Sequence, residues 1–396
     1  MDIISLSQKH VTRHRILERL MRQELTEKEA AELLGICVRQ VRRLKQKVRM
    51  GGITNLIHGN AGKPPWNKRP GTQIDAIVRC YRSTYEGFNC LHFRDMLEEH
   101  EDIRIPRESL RRIFVAHDIP RKKRHAPRRF ERRERKPQAG MLIQQDTSFH
   151  DWFSTGVSCA LVAAIDDATS AVVFGKFFPK DGTLPNMESM KTVTEIYGIP
   201  IAFYVDQAAH FITTRHESIH VQLRGTYDET QIARALTEIG STLILARSPQ
   251  AKGRVERLFE TFQDRLIKEL KLARVRTIEE GNRFLVDWLP KFNHRFMVQA
   301  VQTKSAYRPI PNHLRLALIF SIQEERTVHA DNTISFQGQE HLLHKASHRV
   351  SFAKTIVTVH QCIDGSIHVL HQGQDLAYTM GWTKSLGSEQ DIIAGG

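Results

Sequence analysis

The stretch Ser248-Pro249-Gln250-Ala251-Lys252-Gly253-Arg254-Val255-Glu256 decides the reading of this chain. It follows a short apolar run, Thr242-Leu243-Ile244-Leu245-Ala246, and opens a long helical pattern. Val255, Leu258, Phe259, Phe262, Leu266 and Leu270 recur on one face of that helix. Ser248 can cap it and Pro249 suits its first turn. Glu256 stands beside the apolar stripe, among Lys252, Arg254 and Arg257. Taken alone, a carboxylate among three cations reads equally well as a salt-bridged surface residue.

Two aspartates in matching places change the balance. Gln144-Gln145-Asp146 ends the apolar run Met141-Leu142-Ile143, and Asp206 directly follows the buried-strand run Ile201-Ala202-Phe203-Tyr204-Val205. Asp146 and Asp206 are 60 positions apart, and Asp206 and Glu256 are 50 apart. Carboxylates at strand ends and one on a neighbouring helix can converge at one edge of a sheet. Three of them cannot stay ionised together cheaply unless cations neutralise them. Hard oxygen ligands suit Mg²⁺, with Mn²⁺ able to substitute, and two such ions clamp the attacking and leaving oxygens of a phosphoryl transfer. Asp146, Asp206 and Glu256 are therefore the expected catalytic residues and metal ligands.

A length of 396 residues predicts two to four domains. The formal charge of +14 is lopsided: residues 1–140 hold 32 Lys/Arg against 17 Asp/Glu, while the rest of the chain is close to neutral. A basic front on a neutral body points to a polyanion, most simply double-stranded DNA. Five scattered cysteines with no C-x-x-C pair argue against a disulfide framework or zinc site and fit a reducing cytoplasm. The N-terminus has no signal pattern and no apolar run is long enough to span a bilayer, so no membrane partner is expected.

Within residues 1–50, Leu25 to Leu44 reads as a helix-turn-helix. Thr26 and Glu29 form a capping box, Gly35 makes the turn, and Val38, Val41 and Leu44 anchor the second helix. That helix exposes Arg39, Gln40, Arg42, Arg43 and Lys47 as candidate DNA contacts, with Cys37 where a capping Ser is usual. A Gly/Pro-rich linker (51–72) leads to a second helical, helix-turn-helix-like domain (73–120), whose basic set is Arg107, Arg111 and Arg112. The basic linker 121–140 is densest over 121–136, where 10 of 16 residues are Lys or Arg. Arg121, Lys122, Lys123, Arg124, Arg128 and Arg129 are its candidate phosphate contacts. Lys252 and Arg254 are candidates for phosphates nearer the carboxylates.

From 141 to 300, three strands (141–145, 158–165, 171–178) precede alternating helix, strand, helix, strand and helix. This is an α/β pattern with a mixed sheet. Asp166 and Asp167 read as turn residues, Asp151 as a turn or packing element, and Glu260 and Asp264 as a solvated helix face. A connector (301–325) leads to short alternating runs over 326–384 that predict a small all-β barrel, with Lys345, His348, Arg349 and Lys354 as basic residues, and then a tail (385–396).

Gln145-Asp146, His150-Asp151-Trp152-Phe153, Ile165-Asp166-Asp167-Ala168-Thr169-Ser170, Tyr204-Val205-Asp206, the Ser248–Glu256 block and Gln263-Asp264-Arg265-Leu266 together resemble the integrase-type catalytic domain of bacterial insertion-sequence transposases, and are most similar to the ISNCY family. The resemblance runs from about residue 26 to beyond 300. It implies a ribonuclease-H-like core, with Asp146, Asp206 and Glu256 as the family's D, D and E. The activity it implies is Mg²⁺-dependent strand cleavage and strand transfer at the terminal inverted repeats of an insertion sequence, by a homo-oligomer that pairs two DNA ends. Thr147 departs from a small Gly beside the first Asp. The stretch of about 213–230, with His216, His220 and Arg224, is longer than in retroviral integrases. Two other readings stay open: a transposase-derived DNA-binding regulator without catalysis, and a nuclease without strand transfer.

Overall fold

The computed structural model describes residues 8–57, 60, 68–120, 133–212, 229–246, 253–346 and 350–381. Arg121, Lys122, Lys123, Arg124, Arg128, Arg129, His216, His220, Arg224, Lys252, His348, Arg349 and the tail lie outside them. The chain divides into two compact units, Met1–Cys80 and Tyr81–Gly396.

In the first unit, α1 (Gln8–Met21), α2 (Glu27–Leu34) and α3 (Val38–Gly51) enclose Leu17, Leu20, Ala30, Ala31, Val41 and Val48. Thr26 caps α2 as its sequence predicts: its hydroxyl accepts from the Glu29 amide, and the Glu29 carboxylate accepts from the Thr26 amide at 2.7 Å. Gly35 ends the helix at φ 62°, where a side chain would be strained. Cys37 starts α3 without a side-chain cap. The helix α4 (Gly71–Ser83) runs through the boundary between the units.

The second unit begins with α5 (Cys90–His100) and α6 (Arg107–Ala116), packed through Phe93 and Phe114. Its main body is a five-stranded mixed sheet in the order β3-β2-β1-β4-β5. β1 (Ile143–His150), β2 (Cys159–Asp166) and β3 (Val172–Phe178) form an antiparallel meander; β4 (Ala202–Val205) and β5 (Thr242–Leu245) run parallel to β1. Helices cover both faces, so all eight residues of β2 are buried. On one side α7 (Thr183–Tyr197) and α8 (Gln231–Glu238) contribute Met187, Met190, Ile232 and Leu236. On the other, α9 (Gly253–Leu272) and α10 (Ile278–Phe296) contribute Val255, Phe262, Leu266, Leu285 and Trp288, each worth about 1.5–3 kcal/mol on burial. This mixed sheet, with its helices, matches the ribonuclease-H-like expectation.

The C-terminal expectation of a barrel is overturned. β6 (Ile322–Thr327), β9 (Ile356–Gln361), β10 (Ile367–His371) and β11 (Gln374–Leu376) form a four-stranded sheet in the order β11-β10-β9-β6. β7 (Thr333–Phe336), β8 (Gln339–Leu343) and β12 (Tyr378–Thr379) form a separate three-stranded sheet. The two share a core of Ile334, Phe336, Phe352, Val357, Val359 and Val369, yet neither sheet closes on itself. Strands of two to six residues, paired mostly with hairpin neighbours, bury this core by facing one another. Their alternating pattern is the same in a sandwich as in a barrel, so the sequence does not separate the two.

A polar strut docks α5 on α9, and it corrects the reading of Asp264 as solvated. Asn89 donates to Asp264 at 2.5 Å, and Asp95, almost wholly buried, accepts from Arg265 at 2.9 Å and faces Arg295 at 3.4 Å. Fully buried His92 lies 2.8 Å from Glu269, whose other oxygen accepts from the Trp288 indole at 2.7 Å. Glu260 is exposed, as expected.

Burial pushes the His92 pKa below its ordinary value; Glu269 opposes that shift, and Arg265 and Lys268 add to it. The neutral ring is thus the native form. A depressed native pKa means that the unfolded chain takes up the proton first as pH falls, so the stability from neutral His92 is full above about pH 6.5 and is lost below it. Urea midpoints of the wild type should fall between about pH 7.5 and pH 5.5, by up to about 1.4 kcal/mol per pH unit from this group. His92→Gln should show a shallower slope; identical slopes in the two proteins would refute the assignment.

Candidate active site

The site starts from the register of β1. Eight β1 residues pair with β2, whereas pairing with β4 covers only Ile143↔Phe203 and Gln144↔Tyr204. Asp146 and Asp206 each lie two residues beyond the Gln144–Tyr204 pair, just where β1 and β4 part. β1 is longer than its apolar run predicts, so Asp146 lies within the strand rather than at its end. Both aspartates are half-buried. Asp146 accepts from the Thr147 amide and Asp206 from the Ala208 amide, each at 3.0 Å.

Gln144 shares a strand face with Asp146, since side chains alternate along a strand. Its carbonyl accepts from the Val255 amide at 3.3 Å, which sets the first turn of α9 against that face. Glu256 is the next residue and is exposed. The register therefore puts Asp146 and Asp206 at matching positions where β1 and β4 part, and Glu256 on the adjacent helix turn. Among the described residues, no three His, Cys, Asp or Glu side chains are gathered closely enough to hold a metal ion. The donors fit Mg²⁺ in kind, being carboxylate oxygens on neighbouring elements.

Asp166 and Asp167 do far more than make a turn. Asp166 accepts from the Thr169 amide at 2.8 Å and from the Gly140 amide at 2.7 Å, closing the β2–β3 turn onto the segment before β1. Asp167 is fully buried and gathers Arg133, the Lys136 amide at 2.8 Å, the Gln144 amide group at 2.7 Å and Arg254 at 2.7 Å. Arg254, a candidate phosphate contact, thus spends its Nε on Asp167 and is only 11% exposed. Asp151 accepts from the Thr155 and Gly156 amides, the turn role expected of it.

On the other face of β1, Gln145 donates to Asn186 at 2.7 Å and Ser189 donates back to Gln145 at 2.7 Å. Asn186 reaches Asp181 at 2.7 Å, and Thr147 donates to Asp181 at 3.1 Å. His210, four residues after Asp206, lies 3.2 Å from Asn186 and 3.8 Å from Asp181. Sequence reasoning missed this support; its one local signal is Asp181-Gly182 between a strand and a helix.

Arg39, Gln40, Arg42, Arg43 and Lys47 are all exposed on α3, with Arg42 donating to Glu27 at 2.7 Å. Arg107, Arg111 and Arg112 are exposed on α6; Arg111 holds Glu108 with two hydrogen bonds. Lys345 and Lys354 are exposed between strands of the C-terminal region.

No protein-family profile matches the chain. It is 30% identical over 382 residues to "Putative transposase y4bF" of Sinorhizobium fredii, covering 96% of this chain and 82% of that protein. It is 29% identical over 392 residues to the transposase for insertion sequence IS1202 of Streptococcus pneumoniae, covering 89% of this chain and 82% of the relative. Among solved structures, the HTLV-2 integrase catalytic core domain in complex with magnesium overlaps 37% of this chain and 82% of its own, at 14% identity and a TM-score of 0.28. So low a score carries no argument.

Replacing Asp167 with Ala should destabilise the second unit by about 3–5 kcal/mol, because it strands the enclosed Arg254 guanidinium without its anion. Urea unfolding checks this. A loss below about 1 kcal/mol, the worth of an exposed pair, would show that the network is not structural.

Proposed function

Because the chain belongs to the DDE-type transposase/integrase superfamily, enzymes that act on DNA as polynucleotidyl transferases, we propose that it is the transposase of an insertion sequence of ISNCY type. In this reading it binds the terminal inverted repeats of its element and catalyses strand cleavage and strand transfer there. The observation that carries this is the placement of Asp146 and Asp206 two residues past a paired register, with Glu256 on the helix turn that Gln144 holds against the same face.

Asp146, Asp206 and Glu256 would hold the Mg²⁺ ions. When bound, these ions supply activation of the attacking hydroxyl and stabilisation of the leaving oxygen. The protein's own share is positional. The Thr147 and Ala208 amides orient the two aspartates, and Gln144 fixes the start of α9. α3 and α6 present exposed arginines suited to major-groove and backbone contacts. Two DNA ends must meet, so the working form is a homo-oligomer with one catalytic centre per end. No described helix is long and apolar enough to cross a membrane.

Asp146→Asn, Asp206→Asn and Glu256→Gln should each lower cleavage and joining of a labelled element end by on the order of 10²–10³-fold or more. Binding to the same duplex, read by gel shift, should stay unchanged. Full strand transfer by Glu256→Gln would remove that residue from the site. Salt-sensitive binding with no cleavage by the wild type would instead support a DNA-binding regulator, and cleavage without joined product a nuclease.

A further inference from the structure

A cleft of about 370 Å³ opens between α9 and α10, away from the carboxylates. Its α9 wall is Arg254, Arg257, Leu258 and Thr261, spaced i, i+3, i+4, i+7, so they form one stripe. At about 100° per residue, Glu256 lies about 150° round the helix from the centre of that stripe. The cleft is therefore on the opposite flank of α9 from Glu256. Its floor is apolar, formed by Ile165, Leu258 and Phe292, while Phe296 at its side is 36% exposed, with its ring 4.6 Å from that of Phe292.

The rim carries more positive charge than the fold uses. Arg133, Arg135, Arg254 and Arg257 cluster around two carboxylates, Asp166 and Asp167, and Asp167 already serves Arg133 and Arg254. Arg135 donates only to neutral oxygens, Ser170 Oγ at 2.7 Å and the Ala168 carbonyl at 3.2 Å. Arg257 donates to the Gly253 carbonyl at 2.5 Å. Among the described residues neither has a carboxylate partner. Burial pulls the Arg135 pKa below its ordinary value, and repulsion from Arg254 adds to this. Two guanidiniums that, among the described residues, make no hydrogen bond to a carboxylate, beside an aromatic, apolar floor, suit one anion joined to a flat apolar body.

We propose that this cleft binds one unpaired nucleotide of single-stranded DNA, with its phosphate on Arg135 and Arg257 and its base against Phe296 and Phe292. A base inside a duplex is excluded, because its ring faces are covered by stacked neighbours and its edge by its partner. The volume lies at the lower end of the range of small-ligand pockets, which suits one nucleotide. The proposal rests on the reading of the chain as an enzyme acting on DNA, and adds to it a subsite for an unpaired end or gap.

The test uses the full chain and two probes: a single-stranded oligonucleotide of about ten nucleotides containing 2-aminopurine, and a blunt duplex. The expected result is that Arg135→Ala combined with Arg257→Ala weakens single-strand binding about tenfold and removes the 2-aminopurine signal, while duplex affinity stays within about twofold. Thr261→Trp fills the cleft without removing charge and should act in the same way. Circular dichroism confirms folding, and Phe296→Leu serves as a second variant should Thr261→Trp misfold. Equal losses on both probes, or no loss on either, would overturn the proposal. Element-end joining is assayed on the same proteins. Wild-type joining with a silent cleft refutes the nucleotide site alone; an active cleft without wild-type joining refutes the transposase reading alone.

Discussion

The buried carboxylate of Asp167 ties together parts of the chain that share no secondary structure. It reaches the segment before β1 through Arg133 and the Lys136 amide, β1 itself through Gln144, and the start of α9 through Arg254. A carboxylate with no solvent access is tolerable only when its oxygens are fully engaged with donors. That demand fixes all these elements at once. Gln144 is the pivotal member, because its amide group satisfies Asp167 while its carbonyl holds the Val255 amide. The strand that carries Asp146 and the helix that carries Glu256 therefore have their relative height set by one side chain.

Around this anchor the charges divide by role. The arginines on α3 and α6 are exposed, and paired ones such as Arg42 with Glu27 and Arg111 with Glu108 meet surface carboxylates. Arginines close to the sheet, such as Arg254 and Arg265, are enclosed and bound to buried aspartates. Among the described residues, the cations of α3 and α6 thus lie at the surface, whereas Arg133, Arg254 and Arg265 serve buried carboxylates. Composition alone does not distinguish a cation facing a phosphate from one closing a core. Arg254, which sits in the most informative stretch of the sequence, illustrates that limit.

The legible parts of this chain were those encoded locally. The Thr26–Glu29 capping box, the turn at Gly35, the succession of strands and helices along the core and the apolar stripe from Val255 to Leu270 each depend on residues a few positions apart. What the sequence concealed depends on partners far away. Asp264 read as solvated because nothing nearby announces Asn89, and Asp166 and Asp167 read as turn formers because their ligands come from Gly140, Gln144 and Arg254. The C-terminal strands were recognised, but closure is a relation between first and last strands that alternation does not encode. The two aspartates of the candidate site were legible as carboxylates that follow apolar runs; that Asp146 lies inside β1, and their common register, emerged only from the pairing of β1 with β2 and β4.

The docking of α5 on α9 bears on how such proteins diversify. Asn89, His92 and Asp95 meet Asp264, Glu269 and Arg265, complementary groups that lie some 170 residues apart in the chain. A recombination event that grafted a foreign helical segment ahead of this core would deliver α5 without its matching charges and leave Arg265 and Glu269 without their partners. The helical segment and the core are consequently matched to each other, and exchange of that segment alone is expected to destabilise the core.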